Sequence, residues 1–238
     1  MAHGMQFKVM SARAVHVAVN ALAADFTRAT GCRPDITYAP VGVLQDRLKA
    51  GETADVVILT VQAIEVREKS GDLRPGSSKQ LGRTSIGVAV RAGVAKPDIT
   101  SPEAFKQMLL AARTVALSDP AVGGSAGIYL RGLIEGMGLA EAMRDRSRPQ
   151  PSGAAVAECV ARGEAEIGMT FISEMLPVAG IGIVGPLPAP LGNDTSYAAG
   201  VVANCTDPAT ALAFIEKLTD PARRDIWSAA GFEVPDPA

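Results

Sequence analysis

The chain has 238 residues, 47% of them hydrophobic and 20% charged, with a formal net charge of −2. That length supports one large or two modest cores, and the balance is that of a soluble globular protein rather than a disordered one. With no basic excess, no long like-charge run and only 4% aromatic residues, neither nucleic acid nor an aromatic-rich sugar cleft fits the composition.

Strand and helix signals alternate along the whole chain. Gln6 to Met10 reads as a strand, and Ser11-Ala12-Arg13-Ala14 leads into a helix from Val15 to Thr30, ended by Gly31. Asp35 to Ala39 is the next strand, and Val43 to Ala50 a helix ended by Gly51. Val56 to Leu59 is a continuous apolar run, the pattern of a parallel strand buried on both faces. A helix from Ala63 to Ser70 ends at Gly71. Alternation of this kind predicts a parallel sheet with right-handed crossovers.

Ser85 to Val90 is a strand read as the crossing into a second lobe. There Ser101-Pro102 opens a helix, with a good N-cap followed by Pro at the first helical position. Thr114 to Leu117 is a strand, Asp119 to Gly127 a Gly-rich turn, and Ile128 to Met137 a helix. A helix from Ala154 to Ala161 is followed by Gly163, a strand from Ile167 to Phe171 and a helical turn from Ser173 to Leu176. Pro186, Pro188 and Pro190 predict a stiff extended segment. Tyr197 to Ala203 is read as the return crossing, and helices opened by Asp207-Pro208 and Asp220-Pro221 complete the chain.

The expected class is therefore α/β, with two mixed sheets flanked by helices. Lobe 1 is discontinuous, comprising 1–84 and 198–238, and lobe 2 spans 85–197. Two strands join the lobes as a hinge, and the cleft between them is the natural ligand site. Closure of such lobes needs only a monomer.

Cys32, Cys159 and Cys205 form neither a disulfide framework nor a CxxC pair and are expected as buried thiols. The only histidines are His3 and His16, so no protein-built metal site and no cofactor is expected. No apolar run reaches the roughly 18 residues of a membrane span, so no membrane insertion is expected. Met1-Ala2-His3-Gly4 reads as an expression remnant, with Met5 as a natural start. That reading puts the protein in the cytoplasm; a leader cut before Met5 would instead put it in the periplasm.

Four strand-to-helix turns are rich in small or hydroxyl residues: Ser11-Ala12-Arg13, Pro40-Val41-Gly42, Gly123 to Gly127 and Ser152-Gly153-Ala154. Helix starts present unpaired N–H groups and a partial positive charge, and small side chains let a ligand reach them. At any one turn, Gly and Ser are ordinary punctuation. Four such turns at corresponding places in two lobes point to a site for a small anion.

Three stretches carry a resemblance: Val9 to Ala12 with Leu48 to Ile58, Ser118-Asp119-Pro120 with Ser125 to Tyr129, and Val160 to Gly168. In order and spacing they resemble the molybdate-type ABC transporter solute-binding proteins, over about residues 6 to 232. The resemblance implies a type II periplasmic-binding-protein fold, a ligand in the interlobe cleft and the membrane component of an ABC transporter as partner. It places ligand contacts at Ser11, near Val41, at Ala126, near Gly153 and at Phe171. Neighbours on the same turns complete the expected set: Ala12, Arg13, Gly42, Ser125, Gly127, Ser152 and Thr170.

The departures from the family pattern bear on the ligand. A hydroxyl-bearing turn is replaced by Pro40-Val41-Gly42, and a tyrosine donor by Phe171. A buried dianion loses roughly 1–3 kcal/mol for each bond left unmade, which disfavours molybdate. Arg13 adds a planar fork suited to a carboxylate, unless it points to solvent. The expectation is a small organic carboxylate, with Phe171 against its carbon skeleton. The alternative is an isomerase of an unsaturated di- or tricarboxylate, as in aconitate-isomerase-like relatives of the same fold. Ser125, Tyr129, Asp119 and Thr170 are then the candidate groups for proton transfer, and none of them is assigned as the base. His16 lies a turn into its helix and reads as a packed or surface residue.

Overall fold

The structure, a computed structural model of the chain, describes residues 6–234. His3 and Met5 lie outside the described residues. The chain divides into two compact units. One runs to Arg83 and resumes at Thr195; the other spans Thr84–Asp194.

In the first unit, β1 (Gln6–Ala12) lies between β2 (Arg33–Ala39) and β3 (Val56–Thr60), parallel to both. β9 (Asp194–Val201) pairs antiparallel with β3, so the sheet is mixed. The helices are α1 (His16–Thr30), α2 (Val41–Lys49), α3 (Val61–Lys69), α9 (Pro208–Leu218) and α10 (Arg224–Ala229). β3 is buried from Val56 to Leu59, as its unbroken apolar run requires. Phe7, Phe26 and Phe214 pack edge-on around one another at 5.3–6.0 Å. Trp227 is buried, and its indole N–H donates to the Leu218 carbonyl at 2.8 Å. The scarce aromatic residues are therefore spent mainly on this core.

In the second unit the strand order is β6 (Ser147–Gln150), β5 (Val115–Ser118), β7 (Ile167–Phe171), β4 (Lys79–Arg91), β8 (Ile181–Pro186). β5 is parallel to both β6 and β7, whereas β4 is antiparallel to both β7 and β8. The helices are α4 (Pro102–Ala111), α5 (Ser125–Gly136), α6 (Ala140–Met143), α7 (Gly153–Ala161) and α8 (Ile172–Met175). Gly127 allows α5 to start tightly against β5. A Cβ there would lie 2.4 Å from the Ser118 carbonyl oxygen and 2.9 Å from the Pro120 nitrogen.

Several boundaries differ from those read in the sequence. β1 continues through Ser11 and Ala12, and Arg13–Val15 is a 3-10 turn rather than a loop. α2 and α5 begin two and three residues early, so Val41, Gly42 and Ser125 to Gly127 lie in first helical turns. β6, β8 and α6 were not foreseen. β6 is Ser-Arg-Pro-Gln, an edge strand with no apolar pattern, formed by pairing with β5. β4 starts at Lys79, six residues early. The proline-rich segment turns back on itself, with the Leu191 N–H donating to the Pro188 carbonyl at 2.7 Å. The last helix is split, because Asp220 caps a 3-10 turn over Pro221–Arg223 before α10 starts. Cys159 and Cys205 are buried, but Cys32 is only partly so.

Candidate ligand site

In each unit the predicted turns fall on one edge of the sheet. β1 and β2 are parallel and in register, with Ala12 opposite Ala39. Their carboxyl ends therefore deliver the 3-10 turn before α1 and the start of α2 side by side. In the second unit Ser118 ends β5 opposite Gln150, which ends β6, and β7 runs parallel beside β5. Their carboxyl ends lead into α5, α7 and α8. The carboxyl edge of parallel strands is where open α/β sheets hold ligands.

In the first unit, Ser11 and Ala12 end β1 and are buried. The Ser11 hydroxyl donates to the Ala12 carbonyl at 3.2 Å. Arg13 is exposed, and its guanidinium bonds to none of the described residues. Its carbonyl accepts from His16 Nδ1 at 2.9 Å, so that nitrogen carries the ring proton. His16 also stands edge-on to Tyr38 at 6.1 Å. It is a packed residue, as its sequence position suggested. Tyr38 donates to Asn20 Oδ1 at 2.8 Å, and burial pushes its phenol well above the usual tyrosine range. Val41 and Gly42 are half-buried at the start of α2.

In the second unit, Ser125 is half-buried, and Ala126 and Gly127 are buried. Ser152 is the N-cap of α7 and accepts from the Ala155 N–H at 3.2 Å, with Gly153 buried beside it. Thr170 and Phe171 end β7, both buried. Asp119, Tyr129 and Thr170 among the candidate proton-transfer groups are hydrogen-bonded within the unit. Asp119 accepts from the Ala121 N–H at 2.8 Å, and the Tyr129 hydroxyl donates to the Leu191 carbonyl at 3.1 Å.

Helix starts differ in how their orphan N–H groups are met. α3, α4, α7 and α9 are each capped by a side chain: Thr60, Ser101, Ser152 and Asp207. Among the described residues, no side chain caps the 3-10 turn before α1, α2 or α5. Their N-caps are Ala12, Pro40 and Gly124, none of which carries a side-chain acceptor. The amides of Arg13, Val41, Gly42, Ser125 and Ala126 are thereby left for water or a ligand. No group of three or more His, Cys, Asp or Glu among the described residues is arranged to hold a metal.

Two residues beside this edge escaped the sequence reading. Ser118 Oγ lies 2.9 Å from Thr170 Oγ1, and Thr170 Oγ1 lies 3.4 Å from Glu174 Oε2. All three side chains are buried. A Cβ at Gly153 would come within 2.5 Å of Glu174 Oε2, so this carboxylate lies against the first residue of α7. The one available sequence signal was a hydroxyl residue at or near the end of two otherwise apolar strands.

Comparison with known proteins agrees with this architecture. A family model described as "Bacterial extracellular solute-binding protein" matches residues 7–233. The chain is 36% identical over 216 residues to an aconitate isomerase of Pseudomonas sp., covering 88% of this chain and 80% of that protein. It is 24% identical over 229 residues to the molybdate-binding protein ModA of Escherichia coli K12, covering 95% and 88%. The periplasmic molybdate-binding protein of Azotobacter vinelandii superposes with a TM-score of 0.77 at 21% identity, covering 97% and 100%. The substrate-binding domain of a molybdenum ABC transporter protein from Clostridium difficile gives 0.75 at 16%, covering 98% and 100%. The fold is that of the type II periplasmic binding proteins. The family is one of extracellular proteins, which lends no support to the cytoplasmic expectation drawn from Met5. No helix among the described residues is long and apolar enough to cross a membrane.

Proposed function

We propose that this chain, which belongs to the bacterial extracellular solute-binding protein family of the molybdate type, binds a small organic carboxylate. Its two units act as lobes that close on the ligand, and the two chain crossings between them act as the hinge. The carboxylate oxygens take the amides at the starts of the Arg13–Val15 turn, α2, α5 and α7. The observation carrying this reading is that three of these four helix starts, each following the carboxyl end of a parallel strand, lack a side-chain cap; the short helices α6, α8 and α10 lack one too, whereas α3, α4, α7 and α9 are capped. An uncapped start keeps its partial positive charge for an anion. Exposed Arg13 supplies a bidentate partner for a second carboxylate, and Phe171 in place of a hydroxyl donor favours carbon over a fourth oxyanion oxygen. In transport, the loaded protein would deliver its ligand to the membrane component of an ABC transporter.

The test is thermal unfolding with a panel of di- and tricarboxylates, molybdate, tungstate and sulfate. A ligand at a hundred times its Kd adds about 2.7 kcal/mol of stability. Stabilisation by one or more carboxylates is expected. Stabilisation by molybdate with none from any carboxylate refutes the reading.

A second reading is that the carboxylate is isomerised. The 36% identity to an aconitate isomerase, over most of both chains, favours it. Incubation with cis- or trans-aconitate and chromatography of the product tests it. Absence of interconversion across several unsaturated acids rejects it and leaves the binding reading standing.

A further inference from the structure

The Ser118–Thr170–Glu174 chain has a fixed hydrogen-bond polarity. Gly168 shares a face of β7 with Thr170, and a Cβ on Gly168 would touch Val156 and Val160 of α7. Thr170 therefore faces α7, and Glu174 lies against the first residue of that helix. Glu174 Oε2 accepts from the Thr170 hydroxyl at 3.4 Å, which commits that hydroxyl's one proton. Thr170 Oγ1 can then only accept from Ser118, so Ser118 donates in the 2.9 Å contact. With its proton committed, Ser118 Oγ is left with lone pairs alone. No described N–H or O–H donates to it. Ser118 ends β5 on the carboxyl edge, immediately before the turn into α5.

Building on the proposed carboxylate site, we propose that Ser118 is its specificity-determining acceptor. It takes a hydrogen bond from a hydroxyl on the ligand. The ligand class is then a hydroxy-carboxylate, preferred over its deoxy analogue and over a fully ionised tetrahedral oxyanion. Such an oxyanion has no proton to offer, and its oxygen would meet the lone pairs of Ser118. Thr170 and Glu174 are positioning residues that hold Ser118 in this sense. Sequence alone hides the relation, because Ser118 and Thr170 are 52 positions apart and meet only through the β5–β7 pairing.

The experiment is calorimetric titration at neutral pH with two pairs that differ by one hydroxyl: malate against succinate, and citrate against propane-1,2,3-tricarboxylate. Molybdate serves as the oxyanion probe. The hydroxy acid of at least one pair is expected to bind about tenfold more tightly, the scale of one hydrogen bond to a buried acceptor. Ser118→Ala should reduce that ratio to near one. Thr170→Val frees the Ser118 proton for donation; it should likewise erase the preference and strengthen molybdate binding. Thermal unfolding confirms that each variant is folded, and the wild-type ratio tests the idea even if a variant is not. Members of both pairs binding within twofold of each other overturn the inference while leaving carboxylate binding intact. Retention of the preference in folded Ser118→Ala overturns it as well. No binding of any of the four acids alongside binding of molybdate overturns the carboxylate reading beneath it.

Discussion

Replacing Gly127 by Ala tests the contact that seats α5, and with it the amides of Ser125 and Ala126. The added Cβ would stand 2.4 Å from the Ser118 carbonyl oxygen, 2.9 Å from the Pro120 nitrogen and 3.0 Å from the Asp119 carbonyl carbon. All three are backbone atoms, so no side chain can rotate away. Either the helix start or the end of β5 must shift. Overpacking of this kind costs about 1–3 kcal/mol, which opposes the roughly 0.5–1 kcal/mol that Ala gains over Gly inside a helix. A net loss of about 1–2 kcal/mol corresponds to roughly 2–8 °C in Tm for a chain of this size. Gly132 supplies the control within the same helix. It has nothing within 4 Å of its would-be Cβ, so Gly132→Ala should raise stability by about 0.5–1 kcal/mol. Urea or thermal unfolding of the two variants should therefore give opposite signs. A Gly127→Ala protein as stable as Gly132→Ala would refute the claim that close backbone approach fixes this helix start.

Arg13→Ala should weaken the best carboxylate ligand by about ten- to a hundredfold, the range of a lost charge-assisted bond, read by titration calorimetry, with no change in Tm of the ligand-free protein, read by thermal unfolding. Ser101→Ala removes the acceptor 3.1 Å from the Ala104 N–H and should cost about 1 kcal/mol, read by denaturation, without affecting ligand affinity. Asp207 is held below the usual aspartate range, chiefly by the Thr210 side chain and then by the Thr210 backbone N–H. A depressed carboxyl contributes stability above its unfolded value and loses it as pH falls through the folded one. Asp207→Asn, which keeps a capping oxygen, should therefore flatten the acid limb of the stability curve below about pH 4. Mass spectrometry after brief alkylation of native protein should find Cys32 modified first. Cys159 and Cys205 should wait for denaturant, since both are buried and burial pushes both thiols up.

What could be read without coordinates was whatever is written locally. Val56 to Leu59 declares a two-sided buried strand, and Ser101-Pro102 and Asp207-Pro208 declare helix starts, because cap and φ restriction act within four residues. β6 carries no such mark: Ser147 to Gln150 is polar, contains Pro149, and is a strand only because Val115 to Ser118 lies beside it. The Gly-rich stretch before Ile128 looked like a long turn because glycine weakens helix propensity, yet Gly127 is helical on account of what packs against it. The same limit governs the candidate site. Turns rich in small residues were visible one at a time. The shared carboxyl edge, the missing caps and the Ser118–Thr170 pair depend on strand register.

The first unit is made from both ends of the chain, and this orders events during synthesis. Residues 84–194 leave the ribosome as an uninterrupted unit, with every strand of the order β6-β5-β7-β4-β8 present except the first residues of β4. β1, β2 and β3, made earlier, must meanwhile wait for their fourth strand. Val56 finds its partner Val201 only after 145 further residues have been made, and Phe7 reaches Phe214 later still. Closing so long a loop is entropically costly and slow compared with local pairing. The nascent chain thus carries a finished inner unit while the flank of β3 and the faces of Phe7 and Phe26 stay open. In that interval chaperones, or other exposed strand edges, compete with β9 for the same backbone groups.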